Sequence, residues 1–172
     1  MKNFLDCEFL EDGKTIELIS IAVVRKGTFY YALNGDCNWH RVVNDPWLRE
    51  NVLPSLPIKL SPPHDGRSFW AFEFEDVSLL RSRDTIAREI VEFVGEKPEF
   101  WGYYADYDWV ALCQLYGRMI DLPPGWPMYC RDLKQLADQI SVVVPKQEEG
   151  EHNALADALW LMHCYDYVVE CM

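Results

Sequence analysis

The sequence has 172 residues, of which 49% are hydrophobic and 14% aromatic, which excludes a disordered chain and predicts one domain over residues 1–172. Its net charge of −12 argues against a protein that coats long nucleic acid, because such proteins need clustered Lys and Arg, but not against an enzyme that grips a few terminal nucleotides. No apolar stretch is long enough for a membrane span, and six cysteines without a Cys-x-x-Cys pair favour reduced thiols, so we expect a cytoplasmic protein with no membrane partner.

The beginning of the sequence predicts three consecutive antiparallel strands. A first strand reaches Asp6 and Glu8 almost at once, and a turn follows at residues 11–14. Residues 15–25 are rich in β-branched side chains, and residues 28–33 follow across a Lys-Gly break. Short breaks between such segments are typical of hairpin-connected strands.

The middle of the sequence, residues 35–80, has a weaker pattern. A short helix is expected near residues 46–51. The proline-rich segment 54–63 predicts a surface loop, because proline pairs poorly within a sheet. Aromatic side chains alternate with other residues over 70–74, which predicts a short strand or an extended arm.

The second half alternates between predicted helices and strands. We expect a strand over 99–104, loops at 122–127 and 145–151, and helices over 82–94, 107–116, 131–140 and 153–169. Three strands followed by alternating helices and strands predict an α/β fold, with a mixed β-sheet flanked by α-helices.

Asp6 and Glu8 are the first candidate functional residues. Alternate residues of a strand point to the same face, so we expect their carboxylates to project together. Two carboxylates side by side near a core strand are unfavourable unless a cation neutralises them. The alternative is a solvated acidic face, since 28 acidic residues make such pairs common, as Glu73 and Glu75 show.

Asp108 is the second candidate, directly after the predicted strand 99–104 and at the start of the next helix. An Asp at this position has an ordinary role as a helix cap that also complements the helix dipole. Asp106 could perform the same role, so capping explains one of the two. We favour Asp108 as the functional acid.

His152 and Asp157 are the third candidates. Five positions on one helix would place them on different faces. If Asn153 is instead the N-cap, His152 lies on a loop edge, free to swing, and Asp157 falls in the second helical turn. The apolar neighbours of Asp157 make it a poor candidate for a solvated charge, whereas a lone histidine is usually structural or exposed.

Four carboxylates and one histidine suit the hydrolysis of a phosphodiester. Two Mg²⁺ or Mn²⁺ ions lower the pKa of an attacking water and stabilise the charge on the leaving oxygen. Such hard cations prefer carboxylate oxygens over thiolates. A neutral histidine can accept the proton of the water at physiological pH.

These residues resemble the motifs of the DEDDh 3′–5′ exonucleases of the ribonuclease H-like superfamily. The three motifs appear in order as Asp6-Cys7-Glu8, Tyr107-Asp108 and His152-x4-Asp157. Within that family the sequence is most similar to the polyadenylate-preferring ribonuclease AS group, and more distantly to ribonuclease T and oligoribonuclease. The similar stretches are residues 4–13, 107–115, 122–128 and 152–158.

The resemblance implies a ribonuclease H-like fold and a 3′–5′ exoribonuclease that releases nucleoside 5′-monophosphates from the 3′ end of single-stranded RNA. Asp6, Glu8 and Asp157 would hold one of two divalent ions, Mg²⁺ or Mn²⁺. Asp6 would bridge to the second ion, with Asp108 supporting it. His152 would be the general base.

The resemblance also implies contacts outside the acidic residues. Phe9 and Leu10 would pack against the terminal base or sugar, and Cys7 stands where the family commonly has Thr. Close members are often homodimers, and the aromatic segment 69–74 is expected either at such an interface or in the core. An adenylate preference is a hypothesis. The alternatives are a single-stranded DNA exonuclease and a catalytically silent nucleic-acid-binding module on the same fold.

Overall fold

A computed structural model describes residues 1–64 and 68–172. The strands are β1 (Lys2–Glu11), β2 (Ile16–Arg25), β3 (Thr28–Asn34), β4 (Ile58–Ser61), β5 (Ala71–Phe74), β6 (Leu80–Arg81), β7 (Glu99–Gly102) and β8 (Arg131–Asp132). The helices are α1 (Trp39–Asn44), α2 (Pro46–Asn51), α3 (Arg83–Val94), α4 (Asp106–Gln114), α5 (Leu133–Gln139) and α6 (Ala154–Glu170).

The main sheet has six strands in the order β6-β3-β2-β1-β7-β8. The three long strands β1, β2 and β3 pair antiparallel, as predicted, whereas β6, β7 and β8 each pair parallel to their neighbour. This mixed sheet is flanked by helices, so the predicted α/β class is confirmed, and the architecture is consistent with a ribonuclease H-like fold.

Both faces of the sheet are apolar, because helices cover both. One face buries Leu5 and Ile21 against Ile90 of α3 and Leu112 of α4. The other face buries Phe4, Ala22 and Val24 against α5 and α6. A strand with two buried faces reads as a continuous apolar run, which explains the composition of β2.

A β-bulge interrupts the pairing of β1 with β2 beside the acidic pair. Glu8 lies opposite Ser20 and Phe9 lies opposite Leu18, so Ile19 of β2 is the extra residue. Bulges bend a strand and re-aim its side chains. This one lies where β1 carries its carboxylates.

Residues 35–64 and 68–79 pack on the main sheet through a cluster that includes Ile19 of β2 and Leu33 of β3, and the sequence predicted their elements only in part. The short helix predicted at 46–51 is confirmed as α2, whereas α1 was missed. The prediction that 54–63 is entirely loop is wrong, because β4 pairs antiparallel with β5. Its four residues contain no proline and lie between Pro57 and Pro62.

The strand predicted over 70–74 is confirmed as β5, and its aromatic side chains belong mostly to the core. Trp70, Phe72 and Phe74 are partly buried against the cluster formed by α1 and α2, whereas Phe69 is exposed. The core alternative for this segment therefore holds for these three aromatic residues.

The later elements agree with the sequence except at their ends. The helix predicted from residue 131 begins at Leu133, because residues 131 and 132 form β8 and Asp132 caps α5. The strand predicted over 99–104 ends at Gly102. Within the two described ranges, no helix is long and apolar enough to cross a bilayer.

Candidate active site

Asp6 and Glu8 lie in the middle of β1. The strand continues past them, since pairing with β2 extends to Glu11 opposite Ile16. They lie opposite Ala22 and Ser20 of β2. Their alternation places both carboxylates on one side of the strand, as the sequence predicted.

Asp157 meets this pair from the first turn of α6. One carboxylate oxygen from each of Asp6, Glu8 and Asp157 lies within 4.8 Å of the others. Asn153 is the N-cap of α6, as expected, and its side chain accepts hydrogen bonds from Leu155 N and Ala156 N. The cap fixes the start of the helix and therefore the height of Asp157 above the sheet.

Asp108 is the acid of α4 that faces the sheet. It is 7% exposed, whereas Asp106 is exposed to solvent. Its Oδ1 accepts a hydrogen bond of 2.9 Å from Cys7 N. Neither aspartate caps the helix, because the N-cap is Ala105 without a side-chain bond. The structure therefore favours Asp108 over Asp106 as a member of the site.

Gly102 brings α4 this close to β1. It ends β7, and a Cβ placed there would lie 2.4 Å from the Cβ of Ala105. The turn is held further by Asp132, whose Oδ2 accepts from Ala105 N at 2.9 Å. The absence of a side chain at Gly102 thus allows the tight turn that places Asp108 beside Cys7.

The carboxyl groups of this cluster have raised pKa values. Burial raises the pKa of Glu8 to about 8, with a further contribution from the charges of Asp157 and Asp108. Burial also raises the pKa of Asp108 to about 7, against the lowering effect of the hydrogen bond from Cys7. Burial, and then the neighbouring carboxylates, raises the pKa of Asp6 well above its usual range. The fold therefore holds these acids where the loss of their protons is unfavourable without a neighbouring positive charge.

A testable consequence concerns the protein without divalent ions, whose thermal stability should fall between pH 5 and pH 8. Folded Glu8 and Asp108 keep protons that the unfolded chain releases near pH 4, so the unfolded state gains stability as the pH rises towards the folded pKa. We expect the Tm to fall by at least about 3 °C, the shift that about 1 kcal/mol produces at this size. Differential scanning fluorimetry in EDTA measures it, and a flat profile would contradict the buried charge.

Asp157 accepts hydrogen bonds from two neighbours, of which the sequence singled out only Asn153, as the N-cap. Gln147 Nε2 donates to its Oδ1 at 2.7 Å, and Asn153 N donates to its Oδ2 at 3.2 Å. Burial raises the pKa of Asp157, although the bond from Gln147 lowers it. Gln147 lies in an irregular loop, where no periodicity marks a functional side chain.

His152 lies directly before the cap of α6 and is half-buried. The predicted loop position is correct, whereas the freedom of the ring to swing stays a prediction. In the structure the ring packs edge-on against Trp47, with ring centroids 5.1 Å apart. Trp47 belongs to α2, in the part of the chain that the sequence could not assign to any role.

A cleft of about 420 Å³ lies next to Trp47, and Phe9, Leu10 and Tyr107 also line it. The ring of Phe9 contacts that of Tyr107 at a centroid distance of 5.7 Å. Leu10 is only 6% exposed and packs largely in the core. The structure thus places both residues predicted to contact substrate at one concave surface, with Phe9 the more accessible.

Known proteins are similar in sequence to this chain. The model of a family described as the 3′–5′ exoribonuclease Rv2179c-like domain matches residues 71–169. Two relatives from Mycobacterium tuberculosis are each 40% identical over 164 residues, which is 92% of this chain and 87% of the relative. They are the 3′–5′ exoribonuclease MT2234.1 of strain CDC 1551 / Oshkosh and the 3′–5′ exoribonuclease Rv2179c of strain ATCC 25618 / H37Rv.

Proposed function

The chain belongs to the Rv2179c-like family of 3′–5′ exoribonucleases, and we propose that it removes nucleoside 5′-monophosphates one at a time from single-stranded RNA. The observation that carries this proposal is the convergence of three carboxylates within 4.8 Å. From its motifs we assign the chain to the DEDDh branch and, within that branch, to the ribonuclease AS group.

Asp6, Glu8 and Asp157 fit a divalent cation. They offer hard oxygen ligands, and their raised pKa values reflect a crowding of negative charge that a cation would relieve. In our proposal these three would hold one Mg²⁺ or Mn²⁺, and Asp6 and Asp108 would help to hold the second. When bound, such ions make water more acidic and stabilise charge on the leaving oxygen.

His152 would act as the general base. Its imidazole accepts the proton of the attacking water, whose oxygen forms the new bond to phosphorus. The bond from phosphorus to the 3′-oxygen of the preceding nucleotide then breaks and that oxygen takes up a proton from solvent, so the products are a nucleoside 5′-monophosphate and a shortened RNA with a 3′-hydroxyl. The ring contacts that of Trp47, and this contact would help to orient the imidazole before substrate binds.

The cleft lined by Phe9, Trp47 and Tyr107 would receive the terminal nucleoside. Aromatic side chains bind unstacked bases of any sequence through their π-faces. Glu8 would accept a hydrogen bond from the terminal 2′-hydroxyl, the group that distinguishes RNA from DNA. Adenylate preference rests on the resemblance alone. Equal rates on oligoadenylate and oligouridylate of the same length would remove it.

The test of the proposed function uses a 5′-labelled oligoadenylate with Mg²⁺ or Mn²⁺. We expect a ladder that shortens by one nucleotide at a time from the 3′ end and disappears in EDTA. A matched oligonucleotide with a single 3′-terminal deoxyribose separates RNA from DNA specificity, since a ribonuclease should slow on it. Cleavage that starts inside the chain would contradict an exonuclease.

Two alternatives are distinguished by the same reactions. A single-stranded DNA exonuclease would digest oligodeoxyadenylate at least as fast as oligoadenylate. A catalytically silent binding module would retain the labelled RNA in a gel-shift assay and cleave neither substrate with either metal.

A homodimer is part of the proposal through the resemblance. Its support from the 69–74 segment is reduced, because Trp70, Phe72 and Phe74 pack towards the core. Light scattering on the eluting peak of a size-exclusion column tests it, and a mass near 20.1 kDa would show a monomer.

A further inference from the structure

Ser55 joins the middle of the chain to the loop that carries His152. It ends a 3₁₀ turn at Leu53–Ser55, directly after α2. Its Oγ lies 2.7 Å from the carbonyl oxygen of His152 and 2.8 Å from that of Val52. One hydroxyl proton is therefore shared between two acceptors, one local and one 97 residues away in the sequence.

A second hydrogen bond runs in the opposite direction. Asn153 Nδ2 donates to the carbonyl oxygen of Ser55 at 3.0 Å, while its Oδ1 caps α6. Ser55 thus contacts both His152 and the residue after it, through a side chain and through its backbone. These two hydrogen bonds, from Ser55 Oγ to His152 O and from Asn153 Nδ2 to Ser55 O, run in opposite directions and fix the separation and the rotation of the two segments. We call this pair of bonds the clamp.

The clamped residue has an unusual backbone conformation. His152 has φ +65°, in the left-handed region, which costs of order 1 kcal/mol for a residue with a side chain and persists only when surrounding contacts impose it. The carbonyl of His152 is one of the groups that the conformation re-aims, and it is the group that Ser55 binds. The clamp therefore acts on the residue under strain.

Trp47 completes the arrangement from the same segment. Its ring packs edge-on against the imidazole with ring centroids 5.1 Å apart, and Trp47 is 54% exposed. Residues 46–55 therefore hold His152 at two points, at the carbonyl through Ser55 and at the ring through Trp47. Trp47 also lines the cleft, so its replacement would disturb substrate as well, and Ser55 is the cleaner residue to test.

We propose that Ser55 is a positioning residue for the reaction: its hydroxyl holds the carbonyl of His152 and so keeps the imidazole against Trp47, at the edge of the acidic cluster. The inference rests on the proposed role of His152 as general base. The inference also assigns a role to the middle of the chain, where Trp47 and Ser55 both contact His152. Ser55 touches neither substrate nor reacting atoms, and acts through His152.

The test compares Ser55→Ala with Ser55→Thr and with Ser78→Ala. Ser78 is a matched control, because it also lies in a 3₁₀ turn, at Val77–Leu79, and its hydroxyl donates only to Asp76 Oδ1 within the described residues. We expect Ser55→Ala to lower kcat about tenfold, the effect of one lost hydrogen bond, with KM changed less than about twofold. Ser55→Thr should recover most of the rate, and Ser78→Ala should behave as the parent protein.

A double-mutant cycle with His152→Ala separates positioning from general damage to the fold. If Ser55 acts through His152, Ser55→Ala should lower the rate by less than about twofold once the histidine is gone. A tenfold loss in both backgrounds would overturn the proposal, and so would a parental kcat in Ser55→Ala. A parental kcat in His152→Ala alone would instead remove the base and the clamp together, which keeps the two failures distinct.

Asn153→Ser provides a second variant if Ser55→Ala does not fold. Serine is an equally good N-cap but has no amide to donate to Ser55. We expect a similar loss in kcat with α6 intact by circular dichroism. A parental kcat in this variant would count against the clamp.

Discussion

Replacing Asp6 with Asn is expected to abolish RNA hydrolysis while making the metal-free protein more stable. Burial, and then the charges of three neighbouring acids, raises the pKa of Asp6 well above its usual range. The neutral amide keeps the shape and removes one ligand. Because the loss of stabilisation on the reacting oxygens costs several kcal/mol, we expect kcat to fall by at least about a thousandfold.

The stability of Asp6→Asn has a direction that depends on pH. Below about pH 3 both states of the parent chain carry a protonated Asp6, so the variant gains nothing. As the pH rises the unfolded parent releases this proton and the folded parent does not, so the advantage of the amide grows. In EDTA at pH 8 we expect the variant to melt about 3 °C higher than the parent.

Asp106→Asn is the matched control for this experiment, since Asp106 is an exposed acid of the neighbouring helix α4. It should retain parental kcat and should not show a stability gain that grows with pH. Parental turnover in Asp6→Asn would refute the metal assignment. A lower Tm in EDTA would refute the account of crowded charge even if turnover were lost.

Replacing His152 with Ala is expected to lower kcat by about 10²–10⁴-fold, the range for loss of a general base. The carboxylates remain, so binding of Mn²⁺ should persist and should still raise the Tm. Free imidazole in the buffer should restore part of the rate, because it can accept the same proton from the vacated position.

His163→Ala controls for this variant, because His163 is an exposed histidine of α6. It should cleave at the parental rate. If His152→Ala loses the Mn²⁺-dependent rise in Tm, His152 is needed to assemble the metal site. That result would contradict its assignment as general base. If His152→Ala keeps the parental kcat, a group other than His152 accepts the proton of the attacking water.

The fold was predictable wherever an element was long and its side chains repeated regularly. The three strands β1 to β3 and the helices α3, α4 and α6 follow from their patterns. α1 has only six residues, and it depends on the cap from Asn38 and on burial of Trp39, Val42 and Val43. Such a short helix is held by tertiary packing rather than by propensity, so its own sequence carries little signal.

The same reasoning explains the three short strands that the sequence did not predict. β4 has four residues, and β6 and β8 have two each, too few for a period to show. Their strand conformation comes from their partners, which are β5 for β4, β3 for β6 and β7 for β8. The prolines around β4 mark its ends, whereas the sequence pattern alone predicts a loop over the whole of residues 54–63.

The candidate site was predictable in its acids but not in its supports. The convergence of Asp6 and Glu8 follows from strand alternation, whereas the approach of Asp157 was implied only by the resemblance. Ser55 and Gln147 could not be found, because a hydrogen bond to a distant residue leaves no mark in the local sequence. Such contacts become visible only when the fold is known.

The cluster draws its acids from β1 and from α6, which follows every other element in chain order. During synthesis the earlier elements emerge first, and domains acquire structure as units once their contacts are available. A nascent chain that has not yet produced α6 holds Asp6 and Glu8 without Asp157 and without His152. The three carboxylates therefore come together only when α6 packs against the sheet, so the cluster forms with the completed fold and not with any earlier part of it.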